Sequence, residues 1–409
     1  MPAGAVDVAD AVQLTLDLAR RAGRGESEAE MAGTLCGWAV ERSLPATVQQ
    51  VGDFGANLLV GPPTGPELAF YGHLDTSLRI GPWDDTFLLS RPDPPREPWC
   101  DGEIVWGAGV GVALGPTCAA MLVAASLSAL AGPDRVGAMI VTGGTHRAPP
   151  PWPVPRPGRT HPAMGAGTGA ALDAGFVPGA VVSPKGGAPG PLWEEPGSLY
   201  LEVTVHGHFG PAFLLPPGSP LGGAPAAVGS VLASIARWRE GHLSQRAAGR
   251  DQAGAEVAVG AVHAGSPSKP DVLPDAARVY LYVVTVTGDE QESITDSLRS
   301  HLRADPELAT GSVEVAPYGW LPPGRTDPSH PLVRAVNAAW RRRWPEPALT
   351  GWRGSTDGAL LRARGVPTVR VGPELLRHPD DPRVEGLRIA DLESFCSLWA
   401  EAARSYLDC

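Results

Sequence analysis

The chain has 409 residues, enough to bury more than one core, so a peptide-scale or disulfide-held scaffold is excluded and two domains are expected. Its 33 Lys and Arg against 44 Asp and Glu give a net charge of −11, which provides no global basic field for nucleic acid or an anionic membrane. Glycine (51) and proline (44) are abundant in a chain that is 43% hydrophobic and 19% charged, a composition that reads as globular with long ordered loops.

The chain opens with helical periodicity over 6–22, where acids and the absence of a basic leader argue against a signal peptide. A second helix is expected over 28–42 with Ser27 as its N-cap, followed by strands over 46–50, 57–60 and 67–71. A glycine-rich loop over 107–115 feeds an Ala-rich helix over 117–131, and a strand follows over 138–142. The apolar run 118–131 is too short to span a bilayer and reads as a buried helix. The proline run 149–157 fits neither helix nor central strand and is expected to be a surface excursion or flap. From Ser198 an alternating strand, a helix over 226–239, strands over 256–263 and 277–286, a helix over 290–304 and a strand over 312–317 give a β-α-β-β-α-β order. Helices over 331–344 and 357–363, a strand over 368–371 and a terminal helix over 389–407 close the chain.

Five well-separated cysteines without a Cys-x-x-Cys fit reduced thiols in a cytoplasmic protein. Cys118, at a helix start, has no acid-base partner in the sequence and is read as buried packing. Lys185 and Lys269 are the two lysines, a skew toward arginine attributed to GC-rich codon usage and given no weight in mechanism. The spacing of Gly107, Gly109, Gly111 and Gly115 is not that of a dinucleotide loop.

The chemistry-bearing residues begin with Gly72-His73-Leu74-Asp75 at the end of an apolar strand, where an imidazole and a carboxylate suit a metal ligand with its orienting acid, or a turn cap. Gly354-Ser355-Thr356-Asp357, Gly365-Val366-Pro367-Thr368 and a late His378 after Gly372-Pro373 follow beyond the inserted segment. This order, with Gly197-Ser198-Leu199-Tyr200 and Val272-Leu273-Pro274-Asp275, resembles the M20 family of metallopeptidases and amidohydrolases, which includes carboxypeptidases, aminoacylases and desuccinylases. The resemblance covers almost the whole chain. It implies a two-domain α/β fold, with a zinc-peptidase-type domain at 1–196 and 316–409 and an inserted α+β sandwich lid at 197–315 that also mediates a homodimer.

In that family a pair of zinc ions shares a bridging aspartate, and a glutamate is the general base. This sequence departs from that pattern. The bridging position matches Val112, the base matches Thr145, an adjacent ligand matches His146, and the acidic ligand before proline matches Ser183. The lid histidine matches Pro211 and the lid arginine Val284. Glu194-Glu195-Pro196 abuts the first lid strand and is read as a hinge or surface feature. His73, Asp75, Asp357 and His378 remain as candidate catalytic residues, with metal-free acid-base chemistry expected and no cofactor. The alternative is one zinc held by His73 or His146 with His378. The expected partner is a small acyl-amino-acid or peptide-like ligand in a bacterial specialised pathway, and a non-catalytic ligand-binding protein is the reading from another class.

Overall fold

In the computed structural model, residues 8–24, 26–52, 55–76, 97–145, 164–215, 223–246, 252–308, 313–346 and 349–408 are described. The proline run 149–157 and His146 lie outside them. Helix α1 (Val8–Gly23) buries Ala11, Leu14, Leu18 and Ala22, a stripe at helical spacing, and α2 (Glu28–Glu41) starts at a capping box. The Ser27 hydroxyl accepts the Glu30 N–H at 3.2 Å, while the Glu30 carboxylate accepts the Ser27 N–H at 2.7 Å. Strands β1 (Ala46–Val51), β2 (Gly55–Val60) and β3 (Leu68–His73) follow, then the short β4 (Trp99–Cys100) and β5 (Ile104–Gly107). The glycine loop forms a π-helical turn, Val110–Leu114, that runs into α3 (Gly115–Ala131). Gly109 opens this turn at φ +73°, and a Cβ there would stand 2.0 Å from the Thr76 methyl group. Together these 22 residues are long and apolar enough to cross a membrane, longer than the run read from sequence. They are instead buried against β3, β6 (Val136–Val141), α1 and the C-terminal helix.

After α4 (Ala166–Asp173) come β7 (Ala180–Ser183) and the two-residue β8 (Glu194–Glu195). Next are β9 (Gly197–His206), β10 (Gly210–Pro211), α5 (Ala224–Ser244), β11 (Glu256–Ala264), β12 (Val272–Leu273), β13 (Ala276–Thr285), α6 (Gln291–Ala304) and β14 (Val313–Leu321). In this segment β11, β13, β9 and β14 form an antiparallel sheet whose alternating inward residues pack with α5 and α6 into a separate core. Strand β14 continues past residue 315 to Leu321, opposite Ser198. The chain ends with β15 (Gly324–Arg325), α7 (Pro331–Arg341), α8 (Gly358–Ala363), β16 (Thr368–Arg370), β17 (Leu376–His378), β18 (Asp381–Arg388) and α9 (Ile389–Leu407).

The principal sheet has the order β1-β2-β6-β3-β7-β16, with β6, β3, β7 and β16 parallel. Along β2, β6, β3 and β7 the even-numbered residues, such as Leu58, Phe70, Ile140 and Val182, join the core under α1, α2, α3 and α9, as does Val369 of β16, and the odd-numbered Tyr71, Val141 and Val181 face α4 and α8. A further sheet, β17-β18-β5-β4, lies against the π turn and was not read from sequence. Its strands are short and interrupted by Gly, Pro and Asp, so they carry no sustained alternation.

Candidate active site

Four parallel strands end at one edge of the principal sheet, where α/β folds collect ligand-binding groups. His73 is the last residue of β3, Gly144 and Thr145 follow β6, Ser183 ends β7, and Arg370 ends β16. Asp357 sits at the N-cap of α8, beneath the same edge.

His73 and Asp75 are both buried, at 2% exposure. His73 Nδ1 lies 2.8 Å from the Asp75 backbone oxygen and 3.3 Å from its Oδ1. Two acceptors at Nδ1 favour the proton there, which leaves Nε2 as the lone-pair nitrogen. Nε2 is buried and has no hydrogen-bond partner among the described residues. The Asp75 carboxylate is fixed in turn: Oδ1 accepts the Gly144 N–H and Oδ2 the Thr145 N–H, each at 2.8 Å, and Oδ2 also accepts the Thr145 hydroxyl. Gly144 has no substitute here, since a Cβ would stand 2.7 Å from the His73 Cβ.

Asp357 Oδ2 accepts the Tyr71 hydroxyl at 2.7 Å and the Thr168 hydroxyl at 2.6 Å. Burial pushes its carboxyl up to about 6, against the pull of these donors and of the Lys185 and His73 charges. Burial, reinforced by the Asp357 charge, drives the Tyr71 phenol well above its ordinary value, so it stays a donor. Burial lowers the Lys185 ammonium, opposed by the fields of Asp357, Asp75 and Glu195.

Glu385, on β18, is a site residue that the sequence reading missed. It is 4% exposed, burial raises its carboxyl, and it accepts the Val112 N–H at 3.0 Å. A single acid in a strand-like run between Val384 and Leu387 is the signal that marks it. Lys185, which the sequence reading did not place among the site residues, stands within the field of the site's carboxylates. Glu195 is likewise no surface feature. It is fully buried, pairs with Arg362 at 2.7 Å and accepts the Thr356 hydroxyl at 2.6 Å. Cys118 is buried and its thiol pushed up to about 12 by burial, consistent with packing.

His378 is not brought into the His73, Asp75 and Asp357 group. Its ring packs edge-on against Trp106 and Trp99, with centroids 5.3 and 5.7 Å away. Trp106 pairs with Gly386, the neighbour of Glu385, so the pleat puts the indoles and His378 on the face opposite the Glu385 carboxylate. The two residues between His378 and Asp381, Pro379 and Asp380, make the hairpin turn, and a bulge falls just before it, between Arg377 and His378. Among the described residues no group of three or more His, Cys, Asp or Glu is arranged to hold a metal ion. Val112 and Ser183 offer no carboxylate, Thr145 is committed to Asp75, and an ammonium adds like charge. This donor set does not fit a pair of dications.

The architecture is the two-domain α/β fold of M20 peptidases. A tripeptidase from Staphylococcus aureus superposes with a TM-score of 0.66 at 14% identity, covering 99% of this chain and 100% of that one. A dinuclear metal-binding M20 peptidase from Bacillus subtilis matches at 0.56 and 16%, covering 97% of each chain. An amidase of the hydantoinase/carbamoylase family from Burkholderia phymatum matches at 0.58 and 16%, covering 98% of each. No protein-family model matches the chain, and no curated protein matches it.

Proposed function

We propose that the protein is an enzyme that cleaves the amide bond of a small acyl-amino-acid or peptide-like substrate, in a bacterial specialised pathway, with His73 as its acid-base group. The observation that carries this reading is the His73 ring itself: Nδ1 is held at Asp75, while Nε2 is buried without a hydrogen-bond partner among the described residues. Such a nitrogen takes a proton from a water as the water oxygen bonds to the acyl carbon, and Asp75 stabilises the imidazolium. When the C–N bond breaks, the same proton passes to the leaving nitrogen. The products are a carboxylic acid and an amine, so atoms and charge balance. The peptidase and amidase neighbours support the substrate class by analogy of fold.

The test is turnover of a panel of N-acetyl-amino acids and dipeptides in excess chelator. Turnover should persist there, and His73→Ala should lower it by about tenfold or more, about 1.4 kcal/mol in the barrier. Activity abolished by chelator and restored by zinc would overturn the metal-free reading. One observation favours a second reading, a ligand-binding protein without turnover: Thr145, at the position of the general base, is committed to Asp75. Melting shifts with N-acetyl-amino acids and no product would select it.

A further inference from the structure

Lys185 occupies a loop that is tied down on both sides. The Gly186 N–H donates to the Val112 oxygen at 3.1 Å, joining the loop to the π turn. The Gly187 N–H donates to the Pro373 oxygen at 3.0 Å, and the Leu375 N–H returns a bond to the Gly187 oxygen at 2.9 Å. The Lys185 backbone is pressed on Gly372, where a Cβ would meet its carbonyl oxygen at 2.3 Å. The Cα of Lys185 is thus fixed between the residue at the bridging position and the end of β16.

The surrounding carboxylates already have partners. Asp75 is held by Gly144 and Thr145, Asp357 by Tyr71 and Thr168, and Glu195 by Thr356 and Arg362. Lys185 is a half-buried residue whose ammonium, with three donors, makes no hydrogen bond or ion pair among the described residues. Three carboxylates favour its charge while none takes its protons. An ammonium on so firmly tied a loop, without partners among the described residues, has unused donors for an oxygen that becomes negative during reaction.

We propose that Lys185 is a catalytic residue of this site, supplying the positive charge that metal ions supply in the two-metal peptidases and binding the substrate's acyl oxygen as water adds to the carbonyl. This rests on the hydrolytic reading above. The acyl C=O accepts a hydrogen bond from the ammonium, its oxygen carries the negative charge while the new C–O bond forms, and the charge returns as the C–N bond breaks. Lys185 keeps its proton throughout, and the proton moved is the one His73 carries.

The two-lysine composition makes the test direct. Reductive ¹³C-methylation gives a dimethylamine resonance for each of Lys185 and Lys269, assigned with Lys185→Arg and Lys269→Arg. Asp357→Asn should shift the Lys185 resonance and leave that of Lys269, on its exposed loop, in place. Turnover by Lys185→Met should fall about 10²–10³-fold, chiefly in kcat, with Lys185→Arg retaining more and the melting temperature of both near wild type. A Lys185 resonance that ignores Asp357→Asn, or turnover that survives Lys185→Met while His73→Ala abolishes it, overturns the assignment and spares the hydrolytic reading. Failure of the whole panel, wild type included, overturns both.

Discussion

Asp357 is the residue whose charge state the fold controls most visibly. Burial raises its carboxyl from an ordinary 3.8 to about 6, so between these values the native state holds a proton that the unfolded chain has released. Stability therefore falls as pH rises from about 4 to about 6, by about 2–3 kcal/mol in all, and stays reduced above that. Asp357→Asn keeps an acceptor for Tyr71 and Thr168 and removes the ionisation. The variant should gain on wild type between pH 4 and pH 7.5 in denaturant melts, whereas an equal offset at both pH values would show that Asp357 does not titrate in this window. Of the groups around it, His73 and Asp75 were legible as a His-x-Asp pair at a strand end. Lys185 and Glu385 were not, because a lone charge carries no motif and its meaning depends on which loops the topology brings beside it.

At the scale of elements, the regular helices were the most legible. The terminal helix lies over 389–407 as its periodicity requires, and Ser27 caps α2 with Glu30 completing the box. The sheet β17-β18-β5-β4 was not legible, and its hairpin is what carries His378 onto Trp99 and Trp106. Spacing in sequence placed that histidine after Gly372-Pro373, but a bulge and the pleat decide which face it reaches. The junction before β9 has its own energetic test. Glu195 and Arg362, 0% and 3% exposed as side chains, link β8 to α8. Glu195→Ala would leave a buried guanidinium without its counter-ion and should cost about 3–5 kcal/mol in the melt. A loss below about 1 kcal/mol would show that solvent reaches the pair.

For the whole molecule, the β-α-β-β-α-β order and its α/β frame were readable because the strands of the two larger sheets alternate or run apolar and the helices are either amphipathic, as α1, α6 and α7 are, or apolar throughout, as α3 is. The assembly is a proposal that extends this pattern. Strand β11 is an edge of its sheet, with Val259 and Val262 exposed, and we propose that it pairs two copies of the chain about a two-fold axis. Pro211 and Val284, at the positions of the lid histidine and arginine, mean that such a dimer need not complete the site of its neighbour. Light scattering at micromolar concentration should give twice the chain mass, and a strictly monomeric mass would refute the pairing.

We propose that His73, Asp75, Asp357 and Lys185 stand in this M20-type fold in place of a two-metal centre. Val112, Thr145 and Ser183 leave too little negative charge to offset the repulsion between two dications, and the Lys185 ammonium adds to it. Elemental analysis of the purified, dialysed, turnover-competent protein decides between the two. Well under one equivalent of bound transition metal per chain, with turnover intact, is the expected result, and two equivalents of zinc retained through dialysis would overturn it.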